Sequence, residues 1–502
     1  MSVAQEYTLI VGAYFAGMLL LGVWFNKRLR SEKDYFIARG RLGPATIGFS
    51  FSATQMSGSS YMGAVGTEKL LGYNFTPAGV SSAAAPWFSY ILLGSKLRRI
   101  AGRIRSVTIA DIFEARFYSK SAGMVSTLIM LLAFIPMIAA QLKAAGNVFE
   151  VLLGVPYLTG LFVFGGIVIL YTVLGGMYAV AWTDLIQGLI MILGFAILAP
   201  VAVGAAGGFA EMHRQYGELN PQSISFLGGM PALWVVSNFL VWGFFQIGGS
   251  PASVTRFLIP EDEKTLKSAM VYSVFFQSFI YVCATLIAIA GGVLLPHLER
   301  PDLTVPTMVS QLLPPVVGGV IVAAVLGAIM STIDSILLLA GSLAVQNVYI
   351  KFMGREVDGR RGLKMARRVT LVIGVLALLV AIEPPAAIFW IVTMAFSLMA
   401  SAFTFPFLLG LWWPRTTKEG GLAGMIGGAA SCVLWYVAGY VRYQSFDNWI
   451  GGIWPALLGP AVSLFLIVVV SRLTSPPPEE VMDLFFEDRA PAPAAPAEAV
   501  AS

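Results

Sequence analysis

Charge is scarce in this sequence. Only 12% of its 502 residues are Asp, Glu, Lys or Arg, against about 25% in a soluble globular protein, and a soluble fold is excluded. Cysteine and histidine are scarcer still, with two of each. Cys283 and Cys432 lie in apolar stretches and form no CxxC pair, so neither a disulfide framework nor a thiol metal or redox motif is supported. His213 and His297 stand near loops on no shared helix face, which leaves a metalloenzyme without clustered ligands and a hydrolase without its base. The net charge of +5 does not point to nucleic acid, because its placement between hydrophobic runs matters more than its sum.

Apolar residues make up 57% of the chain, and they are gathered into continuous runs near the roughly 20 residues that span a bilayer as a helix. Thirteen candidates are found, at about 7 to 25, 44 to 70, 76 to 94, 122 to 152, 158 to 178, 184 to 206, 232 to 250, 269 to 295, 315 to 346, 367 to 383, 387 to 412, 421 to 441 and 452 to 471. None alternates with a period of two, which excludes barrel strands. The expected fold class is an all-α polytopic membrane protein with lipid as its surroundings. Tyr7 to Phe25 has no basic segment before it and no cleavage site after it, so it reads as a retained first span.

Lys and Arg set the orientation. Of the 32 basic residues, 25 fall in the connections after spans one, three, seven, nine and eleven. The first of these holds Lys27, Arg28, Arg30, Lys33, Arg39 and Arg41, the second includes Arg105, and the third holds Arg256, Lys264 and Lys267. Such loops stay in the cytoplasm, so the N-terminus is expected outside and the C-terminus inside. Residues 474–502, rich in Pro, Ala and Glu with a Pro/Ala run from Pro491, read as a short disordered cytoplasmic tail.

Two spans are interrupted. Small polar residues from Ser50 to Ser60 break the second, and Gly243, Gln246, Gly248, Gly249 and Pro251 break the seventh. Irregular backbone survives at membrane depth only when it is buried in protein or lines a wet cavity. Spans two to six and seven to eleven form two groups of five, each opening on a broken helix, and an odd number of spans inverts the second group. That is the layout of an inverted-repeat transporter with its site at the breaks. Close-packing Ser and Gly faces on ordinary helices are the alternative.

Three further clusters carry polar chemistry. Ser331 and Thr332 offer adjacent hydroxyls to an alkali cation, with backbone carbonyls near Ala53 and Met56 to complete the shell; back-bonding to the preceding turn is the other reading. Asp334 is a carboxylate near mid-membrane, a functional-site candidate by default. Asp184, at the start of the sixth span, either caps that helix or joins Asp334 and Ser335 in a second cation site. Lys143 lies about 13 Å inside the fourth span, where it meets a substrate carboxylate, a helix carbonyl or another acidic side chain.

These motifs resemble the sodium/solute symporter family over nearly the whole chain, from Tyr35-Phe36 to about Pro414. Gly175-Gly176, Ala179-Val180, Thr183-Asp184 and Gln187 match the family's signature, and Ala328 with Met330-Ser331-Thr332 matches its sodium motif. The segment from Ala53 to Gly63, Pro301 to Pro306, Leu313-Pro314-Pro315 and Gln141 are most similar to the pantothenate branch. Asp334 departs from the amide expected there, and Gln55 replaces the aspartate of the proline branch.

The resemblance implies a leucine-transporter-like fold, with a first helix and connection (1–43), repeats at 44–206 and 232–412 around an external loop (207–231), and two added helices (413–473). It implies a sodium site at the carbonyls of Ala53, Met56 and Ala328 and the hydroxyls of Ser331 and Thr332. Solute is expected against Gln55, Ser57, Ser59, Ser60 and Tyr61, with Gln141, Lys143, Trp242 and Gln246 nearby. The expected activity is sodium-coupled import of a small monocarboxylate such as pantothenate across the bacterial inner membrane, with proline or another monocarboxylate as alternatives. A channel would use the same polar breaks, whereas a sensor would need a signalling domain that about 30 tail residues do not supply.

Overall fold

A computed structural model describes residues 3–27, 29, 35–37, 42–104, 106–225, 230–355, 359–383, 388–446 and 448–487. Arg28, Arg30, Lys33, Arg39, Arg41 and Arg105, together with the Pro/Ala run after Glu487, lie outside the described residues. Every regular element within them is helical.

In chain order, α1 (Val3–Asn26) precedes an interrupted helix in which α2 (Pro44–Gln55) continues through a π-helical turn at Ser59–Ala64 into α3 (Val65–Leu71). α4 (Thr76–Ser89) runs through a second π turn into α5 (Ser95–Ile104), and the short α6 (Ile109–Arg116) leads to α7 (Lys120–Leu153) and α8 (Tyr157–Ala205). After α9 (Phe209–Leu219), a second interrupted helix comprises α10 (Ala232–Phe239), α11 (Gln246–Gly249) and α12 (Pro251–Val254). The remainder is α13 (Glu263–Leu294), α14 (Thr304–Leu312), α15 (Pro315–Ser342), α16 (Gly359–Val380), α17 (Ile388–Trp412), α18 (Lys418–Tyr443), α19 (Pro455–Leu473) and α20 (Glu479–Phe486). Among the described residues, eight helices are long and apolar enough to cross a membrane without a break.

One of the eight is too long for a single pass. The 49 residues of α8 would reach about 73 Å if straight, over twice the hydrocarbon thickness. The helix instead folds back at Gly176, whose φ of 58° and ψ of −158° suit a residue without a Cβ. A Cβ there would lie 2.6 Å from the Tyr35 ring. The connection expected at 179–183 is therefore helical, and the corner lies nearer the N-terminus. Asp184 consequently sits two turns into the second arm of α8, so it is not a helix cap.

At the centre stands α15, in which every residue from Ile321 to Ser342 is buried, packed by α8, α1, α7 and α2. α2 also presses on α13, where a Cβ on Gly48 would come within 2.4 Å of the Ala269 carbonyl. Ser273 of α13 donates to the Gly48 carbonyl at 2.9 Å, while Ser52 donates to the Ser273 carbonyl at 3.1 Å. Tyr90 meets the same Ser273 hydroxyl at 3.1 Å, so three segments share one small polar knot.

Two regions differ from expectation. The connection at 207–231, expected outside, contains α9, and part of the tail is ordered as α20 rather than disordered. Val481 and Phe485 are buried on its inner face, and Arg103 donates to the carbonyls of Leu484 at 2.8 Å and Glu487 at 3.0 Å. A cation at a helix C-terminus answers carbonyls that have no helical partner. The Lys96 ammonium and Arg116 guanidinium lie 5.4 and 5.5 Å from the Phe486 ring. Composition pointed to disorder because these partners lie hundreds of residues away.

Candidate cation and solute site

The first break is narrower than the polar run that marks it. Residues Ser50 to Gln55 remain helical, and the chain leaves the helix at Met56 (φ −84°, ψ 94°). It restarts when Ser60 and Tyr61 donate their N–H groups to the Ser57 carbonyl at 2.9 and 3.0 Å. Between the two halves, the Gly58 N–H donates to Gln141 Oε1 at 2.8 Å. Gln141 thus satisfies a donor that the break would otherwise strand. A Cβ on Gly58 would lie 2.8 Å from Ile329 and 2.9 Å from Ala144, so glycine allows α15 and α7 to close on the break.

Four of the five residues expected around sodium meet here. Ser331 Oγ donates to the Ala53 carbonyl at 3.0 Å and the Ala328 carbonyl at 3.1 Å. Thr332 Oγ1 lies 3.2 Å from the Thr54 carbonyl and 3.3 Å from that of Ala328. The fifth, Met56, is buried at the end of α2. This cluster of neutral oxygens is the donor set a hard monovalent cation takes; when the hydroxyl protons turn away, their lone pairs face the ion. Back-bonding to Ala328 occurs alongside the cross-helix contacts. Sequence could not supply the Thr54 carbonyl, which depends on the rotation of α2 against α15.

One turn along both helices lies a buried charge cluster. Arg256 Nη2 pairs with Asp184 Oδ2 at 3.2 Å, both side chains having no solvent exposure. Arg256 also donates to Ser50 Oγ at 3.0 Å, Ser335 Oγ at 2.5 Å and the Ala252 carbonyl at 2.8 Å. Ser50 donates in turn to Asp184 at 2.5 Å. Asp334 takes hydrogen bonds from Tyr171 and, at 3.2 Å, from Ser335. The three residues expected to form a second cation site are thus brought together, and a guanidinium lies among them.

Arg256 is a correction. The sequence groups it with Lys264 and Lys267 in a cytoplasmic connection, whereas it is buried just after α12. Its apolar followers Phe257, Leu258 and Ile259 were the available signal, masked by the charge run at Glu261 to Lys267.

The candidate solute residues divide. Ser59, Ser60 and Trp242 line a cavity of about 30 Å³ together with Phe75, Ser82 and Tyr281, room for one or two waters. The Tyr281 hydroxyl interacts with Ser82 and Ser60, and Ser57 meets Ser59 at 2.7 Å. Gln55 accepts from Gln277 at 2.5 Å, Gln246 is buried in α11, and Tyr61 packs on Phe195 with ring centroids 4.3 Å apart. Lys143 faces the charges of Asp302 and Arg300, which gives its acidic-partner reading a partner. Burial pushes the Asp302 carboxyl above its ordinary range, against the pull of Lys143 and Arg300. Tyr281, Ser82 and Phe75 were missed; as lone polar or aromatic residues in apolar runs, they carry no local signature.

Broken helices holding an oxygen cage beside a small, mostly apolar cavity define a membrane transporter of the ion-coupled class. The sodium:solute symporter family model matches residues 35–428, and the chain belongs to that family. It is a transporter rather than an enzyme, and sodium is its coupling ion.

Among similar proteins, the osmoregulated proline transporter OpuE of Bacillus subtilis is 30% identical over 96% of this chain and 97% of its own length. The sodium/pantothenate symporter of Escherichia coli is 30% identical over 89% of this chain and 91% of its own. A Na+-coupled sialic acid symporter, solved in a substrate-bound outward-open state, shares the fold with a TM-score of 0.79 at 21% identity, covering 94% of this chain and 98% of that one. The architecture is therefore leucine-transporter-like.

Proposed function

We propose that this protein imports a small monocarboxylate, pantothenate first, together with sodium across the bacterial inner membrane. The observation that carries the reading is the pair of hydroxyls, Ser331 and Thr332, set against the carbonyls of Ala53 and Thr54 at the end of an interrupted helix. Ten of thirteen spans form two inverted five-helix repeats, 44–206 and 232–412, with the N-terminus outside and the basic end of the bundle in the cytoplasm. Sodium bridges α2 to α15 through Ala53, Met56, Ala328, Ser331 and Thr332. Solute lies beside it against Gln55, Ser57, Ser59, Ser60 and Tyr61, with Trp242, Gln246, Gln141 and Lys143 further out. Asp184, Asp334 and Ser335 make a second cation site only if Arg256 withdraws from it.

Sodium from outside would fix the broken backbone in its solute-binding form, and linkage makes the effect reciprocal. The membrane potential adds about 2.3 kcal/mol per charge per 100 mV, a contribution that a monoanion moving with one sodium forgoes. Proline is the second reading. It is favoured by the likeness to the proline transporter OpuE, while the neutral Gln55 in place of an aspartate favours pantothenate.

The test is uptake of labelled pantothenate, proline and acetate into proteoliposomes under an inward sodium gradient, in wild type and in Ser331→Ala/Thr332→Ala. Accumulation of one solute, lost in the double variant, names the substrate. Accumulation driven by protons alone and unaffected by the double variant would overturn the sodium site.

A further inference from the structure

Sodium held between α2 and α15 must leave at the cytoplasmic end, and the position of Arg256 bears on that step. The chain directions fix where it lies. α2 runs from the basic end inward, so Ser50 is one turn nearer that end than Thr54. α15 runs the opposite way, so Ser335 is one turn nearer it than Ser331. Arg256 donates to both Ser50 and Ser335, spanning the gap between the two sodium-site helices on the exit side. The link is continuous, since Ser335 Oγ also meets Thr54 Oγ1 at 3.0 Å and Thr332 meets the Thr54 carbonyl. Beyond the guanidinium, a crevice of about 10 Å³ touches Thr255, Ser335, Leu339, Ser342 and Val107.

We propose that Arg256, anchored by Asp184, is the cationic plug of the sodium path, and that sodium reaches the cytoplasm only when this guanidinium swings off Ser50 and Ser335. The inference rests on the sodium-site reading above. A fixed positive charge repels a cation that must pass within a few ångströms in a dry environment, and Arg keeps its charge even when buried. The five donors of its planar fork hold all four segments at once: α2 through Ser50, α8 through Asp184, α15 through Ser335, and its own through Ala252. Opening the inner side separates these segments and withdraws the plug in the same movement. Arg256 is a positioning residue, since it is one turn removed from the ion.

The test is solute-free 22Na+ flux into purified, reconstituted full-length protein, with sodium binding followed by tryptophan fluorescence. Arg256→Gln/Asp184→Asn replaces the ion pair by two neutral, hydrogen-bonding amides. Its flux is expected to rise about tenfold over wild type, whereas Arg256→Lys, which keeps the charge, stays near wild type. Wild-type flux in the neutral pair, with sodium binding intact, overturns the plug. Equal leakage from both variants overturns it in favour of packing. If the neutral pair does not fold, Arg256→Lys decides alone: a tenfold leak there rejects the role of charge, and a tight variant upholds it. Absence of sodium binding by the wild type would instead sink the sodium site itself.

Discussion

Gly58 and Gln141 lie 83 positions apart in sequence, yet a 2.8 Å hydrogen bond joins the backbone N–H of one to the side-chain carbonyl of the other. It ties the break in the first interrupted helix to α7, which also flanks α15. Gln141→Ala leaves a buried donor unpaired, at a cost of about 1–3 kcal/mol. Because the break presents both the carbonyls proposed to hold sodium and Ser59 and Ser60, apparent affinities for sodium and solute should weaken together. Initial uptake rates titrated with each ligand separately measure this, and a change in one alone would place Gln141 elsewhere in the cycle.

Thr332→Val keeps the shape of the side chain and removes its hydroxyl. Loss of one coordinating oxygen should raise the sodium concentration for half-maximal uptake at least about tenfold, equivalent to about 1.4 kcal/mol. The melting temperature in sodium-free buffer should fall only slightly, since the lost hydroxyl gives up about 0.5–1.5 kcal/mol of hydrogen bonding. An unaltered sodium dependence would remove Thr332 from the site.

Tyr281→Phe tests the cavity wall. Its hydroxyl interacts with Ser60 and Ser82, and a neutral hydrogen bond contributes about 0.5–1.5 kcal/mol. Solute KM should rise about three- to tenfold while solute-free sodium binding is preserved. If both parameters stay at wild-type values, the cavity of Ser59, Ser60 and Trp242 is not where solute sits.

Asp302 gives a pH dependence with a definite sign. Burial raises its folded-state pKa above the ordinary 3.8, partly opposed by Lys143 and Arg300. The folded protein therefore holds this proton more tightly than the unfolded chain, and stability falls as pH rises from about 3.8 through the raised value. Lys143→Met removes one opposing charge and should steepen that fall, whereas Asp302→Asn should flatten it. Thermal melting across this window, in detergent, compares the three. A Lys143→Met variant that retains stability but loses solute affinity would point to the solute contact instead.

The parts legible in the sequence are those set by local pattern. Continuous apolar runs dictate helices in hydrocarbon, and the adjacent hydroxyls of Ser331 and Thr332 already form half of the oxygen cage. The Gly-Gly pair at 175–176 marks a special backbone, although the apolar run on either side hid the sharpness of the turn. Arg256 was illegible because a cation shortly before a charged connection looks like part of it; only the tertiary fold reveals that Asp184 and Ser335 lie opposite. Lys143 posed the same problem, its acidic neighbour Asp302 lying 159 positions further on. Val481 and Phe485 belong to a composition typical of disorder, and their order comes from the surface formed by α5 and α6.

The Gly176 corner has a practical consequence for anyone mapping how the chain threads the bilayer. With one glycine making the turn and the Tyr35 ring filling the space against it, nothing protrudes there for a protease to cut or a label to reach. An epitope inserted at that point would have to force Tyr35 aside, and failure to express would say nothing about sidedness. Accessibility mapping would then count the two arms of α8 as one crossing and reverse the assigned side of every later segment.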